Sequence, residues 1–302
     1  MAEQAVSFTS DGLRLSGVLH LPESGSGPWP AFLLLHGFGG TKNGAGDLAA
    51  AELLTSLGFA ALRFDFRGCG ESEGERAYIR CLDQVSDTRN AITYLQSQPS
   101  IERERIGVMG GSFGAAVAIY TGGVDDRVGA VVSVGGWGNG ERKFRAQHPT
   151  PEAWARFEEM LAEGQRLHQR GERLMVARYD IVPIPEHLRH LRAPGGHDAF
   201  PWETAQSMFD FRADDVVGHI APRPLLLLHA SHDSVTPTRE SIELFARAGR
   251  PTELHLFDDV DHFTLAKKGS RVGELLERWL ATYFPVGVLS SAAASRRLLP
   301  EG

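Results

Sequence analysis

The sequence feature that most constrains the fold is a Gly-x-Ser-x-Gly pentapeptide at residues 110–114. It lies between residues 106–109, which predict a short buried strand, and residues 113–120, which predict a helix of small residues. A strand that turns directly into a helix forces the residue at the turn into a left-handed conformation, and flanking glycines remove the side chains that would collide there. Ser112 is therefore predicted to stand clear of the sheet with an exposed hydroxyl group.

Short apolar runs that alternate with helical segments predict the rest of the fold. The runs are continuous, which is typical of strands buried on both faces of a parallel sheet. A hairpin at one edge of the sheet is predicted from residues 5–9 and 13–20. We therefore expect an α/β fold with a mostly parallel central sheet and helices on both faces. The other predicted strands are residues 31–35, 59–64, 130–134, 225–228 and 253–257, and the other predicted helices are residues 48–57, 82–95, 238–248 and 271–283.

One stretch interrupts this alternation. Residues 137–215 contain no run typical of a buried strand, only helical segments such as residues 152–168 and loops rich in Pro and Gly. An insertion of this size between two core strands, at the end of the sheet where strands finish, would lie over the functional site as a cap. We therefore assign residues 1–136 and 216–285 to the core and residues 137–215 to a cap insertion. Residues 286–302 have no periodicity and are expected to form a disordered tail.

A serine hydroxyl is a poor nucleophile at neutral pH unless a base removes its proton and a carboxylate orients that base. His262 follows the last predicted strand and is the expected base. Asp233 follows the strand that comes directly after the insertion, and it is the expected orienting carboxylate. With Ser112 as the nucleophile, these residues form the predicted catalytic triad.

Other carboxylates compete with Asp233 for the orienting role. Glu141 follows the preceding predicted strand, and Asp258 and Asp259 lie in the same loop as the histidine. The glycine-rich residues 135–140 are poor at holding Glu141 rigid, and the two loop aspartates have no evident way to reach across the imidazole ring. Asp233 is therefore preferred.

The negatively charged oxygen of a tetrahedral intermediate needs two hydrogen-bond donors. One predicted donor is the backbone N–H of Phe113, directly after the nucleophile. The other is the backbone N–H of Phe38, in the turn that follows the strand ending at His36. The predicted oxyanion hole therefore consists of main-chain groups.

Segments from residue 36 to residue 262 resemble those of α/β-hydrolases. The triad order of serine, aspartate and histidine along the chain is the order of that superfamily. Residues 36–40, His-Gly-Phe-Gly-Gly, and residues 64–74 resemble the cinnamoyl/feruloyl esterases and, equally, the esterase relatives of the prolyl-oligopeptidase group. The resemblance implies an α/β-hydrolase fold and a serine hydrolase that cleaves a carboxylic ester through an acyl-enzyme intermediate.

Four alternatives stay open. The same triad could cleave an amide or peptide bond, cleave a C–C bond, or transfer an acyl group to an alcohol. Outside the enzymes, a ligand receptor on a hydrolase fold would bind without turnover. The complete triad favours an enzyme.

Charge and composition limit the kinds of molecule that the protein is expected to bind. The formal net charge is −7 and no Lys/Arg run exceeds two residues, so nucleic acid and anionic membranes are poor partners. Cys69 and Cys81 are the only cysteines, and the N-terminal segment lacks signal-peptide features, so we expect a cytoplasmic protein. No apolar run approaches the 18 residues typical of a membrane-spanning helix, so we expect none. The expected partner is a small-molecule ester substrate, and a homodimer is left open.

Histidines and tryptophans of the predicted cap invite further interpretations. Three histidines match no standard metal-ligand spacing, so we expect neither a metal ion nor a cofactor. Three tryptophans could line an apolar pocket or pack the cap, and both alternatives stay open. The histidines are His187, His190 and His197, and the tryptophans are Trp137, Trp154 and Trp202.

Overall fold

The computed structural model describes residues 2–262 and 268–287. Most of the predicted tail, residues 288–302, lies outside the described residues, as do residue 1 and residues 263–267. In chain order the strands of the described part are β1 (Ala2–Ser10), β2 (Leu13–Leu21), β3 (Trp29–Leu35), β4 (Ala60–Phe64), β5 (Ile101–Gly111), β6 (Val128–Val134), β7 (Met175–Ala177), β8 (Ala199–Pro201), β9 (Leu225–Ala230) and β10 (Thr252–Phe257).

Eight of these strands form one sheet in the order β1-β2-β4-β3-β5-β6-β9-β10. β1 pairs antiparallel with β2, and β2 pairs antiparallel with β4. Every other pairing in this sheet is parallel. The prediction of a mostly parallel sheet with a hairpin at one edge is therefore confirmed.

Helices cover both faces of the sheet. None of those described is long and apolar enough to cross a lipid bilayer. They are α1 (Ala45–Ser56), α2 (Cys81–Gln96), α3 (Phe113–Val124), α4 (Gly140–Gln147), α5 (Pro151–Gln169), α6 (Arg178–Ile181), α7 (Trp202–Asp210), α8 (Arg239–Arg247) and α9 (Arg271–Tyr283), with 3₁₀ turns at Glu186–Leu191, Ala213–Asp215 and Val217–Ile220.

The central strand β3 shows why its apolar run is continuous. Successive side chains of a strand point to opposite faces of the sheet. Leu33 and Leu35 are buried in the core shared with α2 and α3, whereas Phe32 and Leu34 are buried in the core shared with α1 and α9. Since both faces are covered, no position of the strand is left for a polar side chain.

Residues 135–224, here called the inserted segment, connect β6 to β9 without adding a strand to the main sheet. They contain α4 to α7 and a separate antiparallel ribbon of β7 and β8. The sequence did not predict this ribbon, because strands of three residues are too short to show a periodic pattern. The assignment of residues 137–215 to a cap domain stays a prediction.

Lys143, on α4, is a buried cation of the inserted segment. Its side chain is 2% exposed, and its Nζ has no hydrogen-bond partner among the described residues. The Nζ lies 3.8 Å from the centroid of the Phe144 ring and 5.2 Å from that of Trp137. Burial lowers the pKa of Lys143 to about 7, against an opposing effect of Glu240 and Cys81. This lysine therefore weakens the fold.

We predict that Lys143→Met raises the free energy of unfolding at pH 6, by on the order of 2 kcal/mol. Between pH 7 and the ordinary lysine value of 10.5, the unfolded chain holds one more proton at this site than the native chain. The wild type therefore gains stability relative to the variant as the pH rises through this range. Urea unfolding at pH 6 and pH 9 measures both effects.

The matched control is Lys268→Met, at an exposed position. It should change the free energy of unfolding by less than about 0.5 kcal/mol at either pH. A Lys143→Met variant that is less stable than the wild type at pH 6 would contradict the argument.

Candidate active site

Ser112 occupies the turn between β5 and α3 with a positive φ of 53° and a ψ of −113°. Its N–H donates to the carbonyl oxygen of Val134 at 2.8 Å. A Cβ atom added to Gly110 would lie under 3.0 Å from the backbone of Gly114, and one added to Gly114 would lie under 3.0 Å from that of Leu35. The two glycines of the pentapeptide are therefore required by close backbone contacts.

The structure brings Ser112, His262 and Asp233 into one hydrogen-bonded chain. Their loops follow β5, β10 and β9, and the carboxyl ends of parallel strands meet at one edge of a sheet. The Nε2 atom of His262 lies 2.8 Å from the Oγ atom of Ser112. The Nδ1 atom of His262 lies 2.8 Å from Oδ2 and 3.0 Å from Oδ1 of Asp233. A proton on Nδ1 that is donated to Asp233 leaves Nε2 free to accept the serine proton.

The competing carboxylates lie elsewhere. Glu141, on α4, lies 3.1 Å from the Nε atom of Arg145 and 3.5 Å from the Nη2 atom of Arg212. Asp258 and Asp259 lie 3.4 and 3.5 Å from the Nη1 atom of Arg271. Arginine side chains therefore neutralise the carboxylates that the sequence left as alternatives.

The carboxylate of Asp233 is fully buried and held from several sides. Its Oδ1 atom accepts the backbone N–H groups of Val235 at 2.8 Å and Thr236 at 2.7 Å. Burial opposes ionisation, but the hydrogen bonds from His229 and His262 outweigh it, and they hold the pKa of Asp233 well below its usual range. The carboxylate is therefore charged at neutral pH and fixed in orientation.

His229 is a contact that the sequence analysis missed. This fully buried residue of β9 has its Nε2 atom 3.2 Å from Oδ2 of Asp233 and 3.0 Å from the carbonyl oxygen of Thr236. Its Nδ1 atom lies 2.6 Å from the Oγ atom of Ser241. Both contacts of Nε2 need a proton there, so Nδ1 accepts from the serine hydroxyl. The available signal was a polar residue within an apolar strand, four positions before Asp233.

The predicted oxyanion donors lie on either side of Ser112. Phe113 begins α3 directly after it, and Phe38 lies in the turn after β3. A Cβ atom added to Gly37 would be 3.7 Å from the Cβ atom of Ser112, so this turn lies beside the serine. Within residues 2–262 and 268–287, no protein acceptor occupies the backbone N–H of Phe38 or Phe113. Their role as oxyanion donors stays a prediction.

Buried polar contacts with the core fix the turn after β3. The Nε2 atom of His36 accepts the backbone N–H of Phe66 at 3.2 Å, and its Nδ1 atom donates to the carbonyl oxygen of Gly37 at 2.9 Å. Farther along, the Nζ atom of Lys42 lies 2.6 Å from Oδ2 of Asp65. Burial lowers the pKa of His36, which keeps the imidazole neutral and able to make both bonds.

A cavity of about 200 Å³ opens beside Ser112 and His262. One wall is the turn after β3 together with the start of α1, where burial raises the pKa of Asp47 to about 7. The other wall belongs to the inserted segment and combines apolar side chains with three arginines. That wall consists of Arg178, Tyr179, Val182, Ile184, Leu188, Arg189, Leu191, Arg192 and Ala193.

The histidines and tryptophans singled out in the sequence do not line this cavity. Trp137 is buried between Phe113 and Phe211, with ring centroids at 6.2 and 5.6 Å. The Nε2 atom of His197 donates to the carbonyl oxygen of Gly68 at 2.8 Å. In the part of the chain that the structure describes, no three His, Cys, Asp or Glu side chains are placed to hold a metal ion.

Residues 28–268 match the family described as serine aminopeptidase S33, or Hydrolase_4. The chain belongs to the S33 family. This S33 protein is 29% identical over 278 residues to thiohydrolase aneE of Aspergillus aculeatus, a match that covers 85% of each chain. The prediction of a hydrolase is thereby confirmed at the level of the family.

Solved structures show the same fold. The α/β-hydrolase GrgF from Penicillium sp. superposes with a TM-score of 0.77 at 24% identity, covering 94% of the S33 chain and 99% of its own. Est1E from Butyrivibrio proteoclasticus, with ferulic acid bound, superposes with a TM-score of 0.66 at 18% identity, covering 92% and 99%. The predicted α/β-hydrolase fold is therefore confirmed.

We predict that Asp233→Asn lowers kcat for an aryl ester by about 10²–10⁴-fold, because the amide favours the wrong imidazole tautomer. Glu141→Gln should cost less than about tenfold, since its contacts are with Arg145 and Arg212. Both variants should be assayed with the same ester at several pH values. If Glu141→Gln loses activity and Asp233→Asn keeps it, the orienting carboxylate is Glu141 and the assignment of Asp233 is wrong.

Proposed function

We propose that this protein is a serine hydrolase that cleaves a carboxylic ester through an acyl-enzyme intermediate. The observation that carries the proposal is the chain of hydrogen bonds from Ser112 through His262 to Asp233, which opens on a cavity. The backbone N–H groups of Phe38 and Phe113, which have no acceptor among the described residues, support an oxyanion hole.

In the proposed reaction, the Oγ atom of Ser112 attacks the ester carbonyl carbon while Nε2 of His262 takes its proton. Asp233 stabilises the imidazolium that forms, and the oxyanion accepts from the N–H groups of Phe38 and Phe113. Collapse of the intermediate breaks the bond to the alcohol oxygen, which receives the proton from His262. A water molecule, deprotonated by the same histidine, then attacks the acyl carbon and releases the acid from Ser112.

The cavity suggests the kind of acyl group. Its wall from the inserted segment carries Val182, Ile184, Leu188 and Leu191, which favour an apolar acyl or aryl portion. We also propose that residues 137–215 act as the cap that supplies this wall. The ferulic acid bound to Est1E is a carboxylic acid with an aromatic ring, which supports an ester of an aromatic acid as a first substrate.

A thioester is the second candidate. It is supported by aneE, whose name describes a thiohydrolase and which matches 85% of this chain. The same triad would attack a thioester carbonyl, and the leaving group would be a thiol. Amide or C–C bond hydrolysis, acyl transfer to an alcohol and binding without turnover remain alternatives from the sequence.

We predict that Ser112→Ala lowers kcat for an aryl ester by on the order of 10⁴-fold or more with the fold intact. A fluorophosphonate probe should label the wild type at Ser112 and fail to label the variant. Burst kinetics on a p-nitrophenyl ester would detect the acyl-enzyme. Ser97→Ala, at an exposed hydroxyl at the end of α2, is the control and should leave activity unchanged.

The type of bond that is cleaved can be determined by measuring kcat/KM for p-nitrophenyl esters, feruloyl esters, acyl thioesters and aminoacyl anilides. The ester proposal expects the highest kcat/KM within the first two classes. A preference for thioesters or anilides would replace it with the corresponding alternative. A folded Ser112→Ala variant with wild-type kcat/KM would end the serine hydrolase proposal.

A further inference from the structure

Arg178 is a buried arginine at the active-site cavity, without an ion pair to a carboxylate in the described part of the chain. It begins α6 in the inserted segment, is 6% exposed and lines the cavity together with Ser112. Among the described residues, no Asp or Glu oxygen lies within ion-pair distance of its guanidinium group. A buried charge without a counter-charge costs free energy unless hydrogen bonds offset that cost.

The guanidinium group binds main-chain carbonyls. Its Nη2 atom donates to the carbonyl oxygen of Phe38, and its Nη1 atom donates to that of His197 at 3.1 Å. The group also lies over the ring of Phe38, 5.1 Å from the centroid, and 5.9 Å from that of Phe200. The charge is therefore fixed against the residue whose N–H is the proposed oxyanion donor.

Two other arginines of the inserted segment are neutralised by carboxylates. Arg142, also in the inserted segment, binds the carboxylates of Asp214 at 2.8 Å and Glu240 at 2.7 Å. Arg192, on the same cavity wall, binds Asp198. Arg178 has no such ion pair in the described part of the chain, and it lines the cavity, so its field acts there.

Other contacts beside the arginine join the turn after β3 to the inserted segment. The N–H of His197 donates to the carbonyl oxygen of Gly39 at 3.2 Å, and the hydroxyl group of Thr41 donates to that of Pro194 at 3.0 Å. The rings of Phe38 and Phe200 stack with centroids 4.3 Å apart. The turn after β3 is thus held between the inserted segment on one side and the core on the other.

We propose that Arg178 is a positioning residue of the oxyanion hole: it holds the backbone of Phe38 through the carbonyl oxygen of that residue, and its positive charge stabilises the oxyanion. This inference rests on the proposed serine hydrolase function. Burial lowers the pKa of Arg178 to about 10, which still leaves it protonated at neutral pH. A charge that favours the oxyanion more than the neutral ester stabilises the transition state selectively and therefore affects kcat.

The test compares Arg178→Gln and Arg178→Lys with the wild type on one p-nitrophenyl ester. Arg178→Gln should lower kcat by about 10- to 100-fold and change KM by less than about threefold. Arg178→Lys keeps the charge without the forked geometry, so its kcat should lie between those of Arg178→Gln and the wild type. Arg166→Gln, an equal charge change on the exposed face of α5, should have wild-type kcat.

A second readout separates this role from a structural one. An aryl trifluoromethyl ketone adds to Ser112: the Oγ atom bonds to the ketone carbon, His262 takes the proton, and the ketone oxygen becomes an oxyanion. The inhibition constant of this ketone should rise in Arg178→Gln by the factor by which kcat/KM falls. Circular dichroism and thermal melting check the fold of each variant.

The inference is overturned if Arg178→Gln keeps kcat within twofold, if the loss lies in KM alone, or if the inhibition constant does not change. If Arg178→Gln does not fold, Arg178→Lys decides: a parallel loss of kcat/KM and ketone affinity supports the inference, and an unchanged affinity overturns it. A wild type without hydrolase activity would instead contradict the proposed function. Activity in the wild type with no effect at position 178 would contradict only this inference.

Discussion

The backbone turn at Ser112 is the constraint on which the rest of the structure depends. β5 becomes α3 within one residue, which brings the backbone of Gly114 against both Gly110 and Leu35. Leu35 is the last residue of β3. The contact that shapes the turn at the serine therefore also fixes the point at which β3 ends, from which the chain continues to Phe38. One steric requirement positions the predicted nucleophile and a predicted oxyanion donor relative to each other.

Much of this arrangement could be predicted from the sequence, because the key residues follow continuous apolar strands. Ser112, Asp233 and His262 each lie just beyond such a strand, and the carboxyl ends of parallel strands share one edge of the sheet. The structure brings these three side chains together, and their catalytic roles stay a prediction. Continuous apolar runs also located the parallel strands of the main sheet, because burial on two faces favours apolar residues at every position.

What the sequence did not reveal depends on contacts that have no local pattern. His229 looks like the polar end of β9, and its contact with Asp233 exists only because the loop after the strand folds back. Arg178 is 140 residues from Phe38 and lies in a segment without strong periodicity. The ribbon of β7 and β8 is too short for its alternation to be seen. Such features become visible only when the chain is folded.

The attachment of residues 36–41 to residues 178–200 has a consequence for how chains of this kind diverge. Two stretches that support one backbone geometry share a single surface, although they are far apart in the chain. A substitution in one of them changes which residues the other can accept. Substitutions in the two stretches should therefore occur together among relatives, and a recombinant chain that takes them from different parents should lose activity while keeping its sheet intact.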